Sequence, residues 1–430
     1  MLKTATRNWW AFFLDYVFFG LALTFAQTGT VLPAFAATLT TSKALIGAAS
    51  AIWLGAWLLP QLFAANFLTN KPKKYPYMVL GAVIGRPMFW LFALLLFTGW
   101  LANFPGVLLA IFLFGLGWFA LTDAFTAIAW FDLFGKAMSP QRRGRLVGLG
   151  QVVVGTLSIG AGWLVGQLLS KNGPPYPLNY AAIFALAGLC VFFSFLAILI
   201  TVEIPEAVPV DPPAASLREF LPRFAAVWRS DPTFVRVITV QLLAGLQRLA
   251  SSFYILHATQ VAGINPAIVG GLAAVGSIGI AVAGLVLGQV AVQRGSHRVI
   301  QIVTWLSLAP PLLGLGVALI RVTPSLTWVY VACYFIIGMV EGSNFIGFSN
   351  YILDLAPPGG RPVYIGLANS FAGALVIAPI IGGWILDHTS YPALFIITFV
   401  AVIPAALLAM RLPPIAHKEA VEPPEPEFAA

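Results

Sequence analysis

Eight ionisable side chains lie inside long apolar stretches of this sequence: Asp15, Arg86, Asp123, Asp132, Arg236, Arg248, Glu341 and Asp354. A charge in hydrocarbon costs several kcal/mol, so such groups pair with one another or act on a solute or a proton. Asp123, Arg248 and Glu341 sit near the middle of their stretches. A carboxyl taken out of water holds its proton more tightly and can then exchange it near physiological pH. A neighbouring guanidinium must be paired, with such an acid or with an acidic or hydroxyl-rich solute. Other chemistries lack their parts. No nucleophile and base stand together, no G-x-x-x-x-G-K-[ST] loop occurs, and His257, His297, His388, His417, Cys190 and Cys333 show no ligand spacing. Neither an enzyme, a metal, a cofactor nor a nucleotide-driven pump is expected.

The elements that carry these groups are set by composition. Charged residues make up 9% of the chain and hydrophobic ones 60%, with a mean hydropathy of +0.91, whereas a soluble domain is about a quarter charged. The chain is therefore expected to be an all-α integral membrane protein. Roughly 20 apolar residues cross a bilayer, and twelve segments qualify, near 9–35, 44–68, 77–99, 104–134, 145–169, 179–202, 234–258, 266–292, 299–320, 326–353, 363–387 and 391–411. The first follows a basic start and includes AFA at 34–36, as a secretory signal would. It is about twice the length of a signal's apolar region and contains Asp15, so it reads as a retained first segment.

Six segments precede and six follow a Pro-rich, charged stretch. The expected units are an N-terminal six-helix bundle over 1–202, a cytosolic connector over 203–232, a C-terminal six-helix bundle over 233–415 and a disordered acidic tail over 416–430. Within the connector, SLREFLPRFAAVW suggests a short interfacial helix capped by Ser216. Of the 23 Lys and Arg residues, 17 fall on the side that holds both termini. Only Lys43, Lys171 and Arg321 fall on the other, and Arg86, Arg236 and Arg248 lie within or at the edges of segments. This bias places both termini in the cytosol, with the protein in the plasma (cell inner) membrane. The formal charge of +8 then reflects topology, with no nucleic-acid partner implied.

The two halves also repeat. SPQRRGRLVGLGQ from Ser139 and PPGGRPVYIGLAN from Pro357 align at an offset that pairs Arg143 with Arg361 and Gln151 with Asn369. YAAIF from Tyr180 and YPALF from Tyr391 match one segment later, and the first offset carried backwards sets Asp123 opposite Glu341. In the fifth and eleventh segments, GTLSIGAGWLVG and AGALVIAPIIGG space small residues every four or five positions, which permits close helix packing.

Twelve segments in two repeated halves resemble the major facilitator superfamily of secondary transporters, and the resemblance spans essentially the whole chain. The superfamily's loop, roughly G-x-L-A-D-R-x-G-R-R, has a worn counterpart in GQVAVQRGSHR from Gly288, with Val292 at the acidic position. A second is ANFLTNKPKK, with Thr69 there. The resemblance implies twelve transmembrane helices in two pseudo-symmetric six-helix bundles. It also implies alternating access, and a central cavity lined by the first, fourth, seventh and tenth helices. Seven of the eight ionisable residues fall on those four.

The expected substrate and coupling residues are Asp123, Arg248 and Glu341, with Gln27, Trp130, Gln241 and Asn344 on the same polar stripes. Trp130 suits stacking on a ring or covering a gate. At about 100° per residue, Asp132 lies on the face of the fourth helix opposite Asp123. Asp132 with Arg143 and Arg145, and Asp354 with Arg361, read as gating or structural ion pairs at the cytosolic ends. Asp15 is open between a buried pair and a coupling site, and Arg86 is expected to pair locally or snorkel. The expected function is proton-coupled movement of a small organic solute by a monomer in the lipid bilayer. Arg248 favours a solute with a carboxylate, phosphate or several hydroxyls. The alternatives are efflux of hydrophobic cations, as in multidrug antiporters, and a non-transporting receptor or assembly protein of the same fold.

Overall fold

The computed structural model describes residues 2–203 apart from 62–63, 65–66, 69–70, 72, 102 and 139, and then 227–320, 326–356 and 361–415. Most of the predicted connector, the tail and the side chain of Arg361 lie outside the described residues. All regular structure among the described residues is helical. With no water in a bilayer core, a helix is the way a single segment satisfies its own backbone N–H and C=O groups. Among the described residues, ten helices are long and apolar enough to cross a membrane.

The remaining two predicted segments depart from that length in different ways. The second is the shorter apolar helix Lys43–Leu58. The seventh is a chain of short pieces, Pro232–Gly245, Arg248–Ser251 and Tyr254–Leu256, followed by a π-helical turn over His257–Val261. Asp231 caps its first turn, accepting from the N–H groups of Thr233 at 3.0 Å and Phe234 at 2.9 Å.

Other interruptions follow from proline. The first helix runs Leu2–Phe25, and the chain re-forms as Val31–Leu39 after a break. Pro33 has no N–H to offer the carbonyl four residues back, so Gly29 O is released from the helix. Tyr334, on the tenth segment, donates its hydroxyl to that oxygen at 2.8 Å. The helix also begins earlier than the expected residue 9. Asp15 therefore lies about 20 Å along it rather than near its start. The third segment hitches at Arg86 and Pro87, between Tyr75–Gly85 and Met88–Thr98.

Packing differs between the two ends of the bundle. On the side away from the termini, one apolar core takes residues from both halves, among them Leu32, Phe92 and Phe184 with Phe253, Tyr330 and Phe395. On the termini side each half has its own core, one around Phe12, Leu133 and Ile198, the other around Phe234, Tyr351 and Ala405. Small residues make the far-side approach possible. A Cβ at Gly47 would overlap the Pro379 carbonyl, and one at Gly162 the Gly270 carbonyl. The expected close-packing role of the fifth and eleventh segments is filled at these crossings.

Hydrogen bonds close the same end. Asp387, at the end of the eleventh segment, accepts from Lys43 N at 2.8 Å, Ala44 N at 3.1 Å and Ser42 Oγ at 3.2 Å. Ser50 Oγ meets Ser252 Oγ at 3.0 Å, and Lys43 Nζ donates to Gln260 Oε1 at 3.0 Å. Among the described residues, no hydrogen bond or ion pair joins the halves on the termini side. The ion pairs found there, Lys74–Asp132 at 2.8 Å and Lys136–Asp132 at 2.7 Å, stay within the first half.

Candidate functional site

Between the sealed far side and the termini side lies a cavity of about 650 Å³. The fourth segment, Pro105–Ala137, presents Asp123, Ala127, Trp130 and Phe134 to it, at the spacing of one helical face. Asp132 falls on the opposite face and pairs with Lys74 and Lys136. Opposite the fourth segment, the tenth contributes Glu341, which is exposed to the cavity. Gln27 reaches the lining from the break after the first helix and accepts the Thr30 hydroxyl at 2.7 Å.

The most connected group in the lining is built on Arg86. Its Nη2 lies 3.5 Å from Asp15 Oδ1, and its Nη1 donates to the Val191 carbonyl at 3.2 Å. The Arg86 guanidinium stands 5.7 Å from the Phe19 ring centre, where the ring's face attracts a cation. Asp15 also accepts from Ser194 Oγ. The Trp130 indole nitrogen lies beside the same carboxylate but completes no hydrogen bond. Asp15 and Arg86 are only 5% and 6% exposed, which makes this a buried pair. The guanidinium also acts electrostatically on Asp123, whose Oδ2 accepts from Trp57 Nε1 at 3.1 Å.

The structure thus brings Asp123, Glu341, Gln27 and Trp130 into one lining and leaves Arg248, Gln241 and Asn344 out of it. The Arg248 guanidinium makes no hydrogen bond or ion pair among the described residues, although it is within electrostatic reach of Glu341. One oxygen of Gln241 is buried without a partner. Asn344 is the last residue of the Thr327–Asn344 helix, where a π-helical turn begins, and for Gln241 and Arg248 the interruptions of the seventh segment around Leu246–Gln247 and Ser252–Phe253 keep the two off a common face. A face projected at 100° per residue does not carry across a broken helix. Of the expected cytosolic pairs, Asp132 uses Lys74 and Lys136 in place of Arg143 and Arg145. Asp354 accepts from Ser296 Oγ at 3.4 Å, and its expected pairing with Arg361 lies outside the described residues.

Arg86 is the functional-site residue that a segment-by-segment sequence reading understates. It sits on the third segment yet lines the cavity. A signal for it was present, because a buried acid requires a cation and Arg86 is the mid-segment cation of the first half. Trp57, the donor to Asp123, carried no comparable signal.

Comparison with known families decides the affiliation. The family model described as Major Facilitator Superfamily matches residues 17–376. The chain belongs to the Major Facilitator Superfamily. Among curated proteins, none matches the sequence. The fold is similar to that of the nucleoside transporter NupG, at 15% identity and a TM-score of 0.64, over 94% of this chain and 98% of that one. It is similar to a peptide transporter POT solved with sulfate, at 13% identity and a TM-score of 0.66, over 94% and 93% of the two chains. A bacterial homologue of the iron transporter ferroportin, solved in an inward-facing state, shares 14% identity at a TM-score of 0.68, over 96% and 99%. At these identities the likeness establishes the fold, a transporter fold of the superfamily.

Proposed function

We propose that this superfamily member is a proton-coupled secondary transporter of a small organic solute. Its two bundles, 1–202 and 233–415, rock about the cavity, and the 203–232 connector and both termini are cytosolic. The observation that carries the reading is the placement of Asp123 from one half and Glu341 from the other in a single lining, beneath the side on which the halves are sealed. Solute or proton bound there touches both halves and so biases their relative position. With cytosolic termini the structure corresponds to an inward-facing state, the state named for the ferroportin homologue.

Thermal unfolding of purified protein against sugars, organic acids, amino acids and organic cations identifies the solute. A ligand present at a hundred times its Kd adds about 2.7 kcal/mol to the folded state. In proteoliposomes an imposed pH gradient then drives its accumulation. Asp123→Asn and Glu341→Gln, made separately, are expected to lower that accumulation at least about tenfold while solute exchange persists at saturating solute, because exchange does not require the site to change its proton. Full accumulation by both variants overturns proton coupling through this pair. Binding without any flux supports the receptor alternative.

Topology is tested separately. Asn172, beyond the fifth helix, and Gln293, near the end of the eighth, are exposed at opposite ends of the bundle. In intact cells an impermeant thiol reagent is expected to label Asn172→Cys and to reach Gln293→Cys only after permeabilisation. The reverse pattern inverts the orientation.

A further inference from the structure

The cavity lining carries three carboxylates, Asp15, Asp123 and Glu341, and one guanidinium, Arg86. Arg86 is already engaged with Asp15 and the Val191 carbonyl, so an anionic solute would have to break a buried ion pair to reach it. The acids offer the opposite. Asp123 accepts a single hydrogen bond, from Trp57, and Glu341 makes none among the described residues. An ionised carboxylate has about four acceptor sites and no donor of its own. Both acids therefore present unused acceptor capacity to whatever occupies the cavity. Arg248 acts on Glu341 electrostatically but is not among the lining residues.

Around these acids the walls are aromatic, with Trp53, Trp57, Phe119, Trp130 and Phe134 among them. Aromatic faces attract cations and accommodate flat apolar bodies. The volume lies in the usual range for a drug-sized organic ligand. We propose that the site takes an amphipathic organic cation, with its positive centre between Asp123 and Glu341 and its apolar body against the tryptophans. This names the substrate class for the transporter reading above and rests on it. It reverses the expectation drawn from Arg248, because that guanidinium stands outside the lining.

The test uses two probes of nearly the same shape and opposite charge, tetraphenylphosphonium and tetraphenylborate. Binding to the full-length protein in detergent is followed by quenching of tryptophan fluorescence and by the rise in unfolding temperature. Tetraphenylphosphonium is expected to bind saturably and at least about tenfold more weakly to Asp123→Asn and to Glu341→Gln, since loss of a desolvated charge partner costs at least that much. Asp132→Asn, whose carboxylate lies outside the cavity, should bind like the parent. Tetraphenylborate should show no dependence on Asp123 or Glu341. Chromatographic profile and unfolding temperature establish that each variant is folded, and a variant that fails this check is replaced by Asp123→Ser or Glu341→Ser. Equal binding of both probes, or cation binding indifferent to both acids, overturns the proposal. Failure of the transporter reading has a different signature, namely acid-dependent cation binding in detergent with no flux in proteoliposomes.

Discussion

Arg86→Met is expected to be among the most destabilising single changes in the protein, costing about 3–5 kcal/mol, because it leaves Asp15 as an uncompensated charge in the interior. Asp15 is 5% exposed, and losing its guanidinium partner leaves it the Ser194 hydroxyl as its hydrogen-bond donor among the described residues, with the Trp130 indole beside it. Removing both partners tells a different story. In Asp15→Leu combined with Arg86→Met the buried charges disappear together, and a well-packed apolar pair in place of a buried ion pair is often neutral or stabilising. The double variant should therefore recover most of the lost stability while losing solute handling, since both residues line the cavity. Cys190 and Cys333 are buried thiols, so a thiol-reactive dye reports unfolding directly. Unchanged unfolding of the Arg86→Met protein would show that Asp15 does not depend on this pair.

Gly383→Leu is expected to hold the far side of the protein open. At that crossing even a Cβ would overlap the Lys43 carbonyl, and backbone cannot step aside as a flexible side chain can. Overpacking of this kind costs about 1–3 kcal/mol, and here the cost falls only on the state in which the far side is closed. The equilibrium should shift by roughly 5- to 150-fold toward opening. Asp387→Ala removes three accepted hydrogen bonds at the start of the Lys43–Leu58 helix, where a carboxylate also suits the helix dipole. Its carboxylate is exposed to solvent, so the shift should be smaller, about fivefold. Ser252 is fully buried at the joint between the halves. The labelling rate of Ser252→Cys, in a background lacking the native thiols, measures the opening. Equal rates with and without Gly383→Leu would mean that the seal does not depend on this contact.

The membrane class and ten of the twelve expected segments were legible in the sequence because each is enforced residue by residue. Lipid contact demands apolar side chains, and a lipid-exposed backbone must close its own hydrogen bonds. Asp123 and Glu341, which the sequence repeat set opposite each other, both line the cavity. Helical spacing likewise put Asp132 on the face opposite Asp123. Tertiary structure decided the rest. Asp15 meets Arg86 across 71 positions of chain, and that meeting depends on the rotational setting of two helices, which no local pattern records. Arg248 and Gln241 were assigned to the cavity by a continuous helical wheel, but the seventh segment is broken on both sides of Arg248 and the wheel loses its phase there. Which side of the cavity is sealed was beyond the sequence as well. The same small residues and polar ends must serve more than one packing of the two halves, and it is the tertiary structure that engages Gly47, Gly383 and Asp387 in this one.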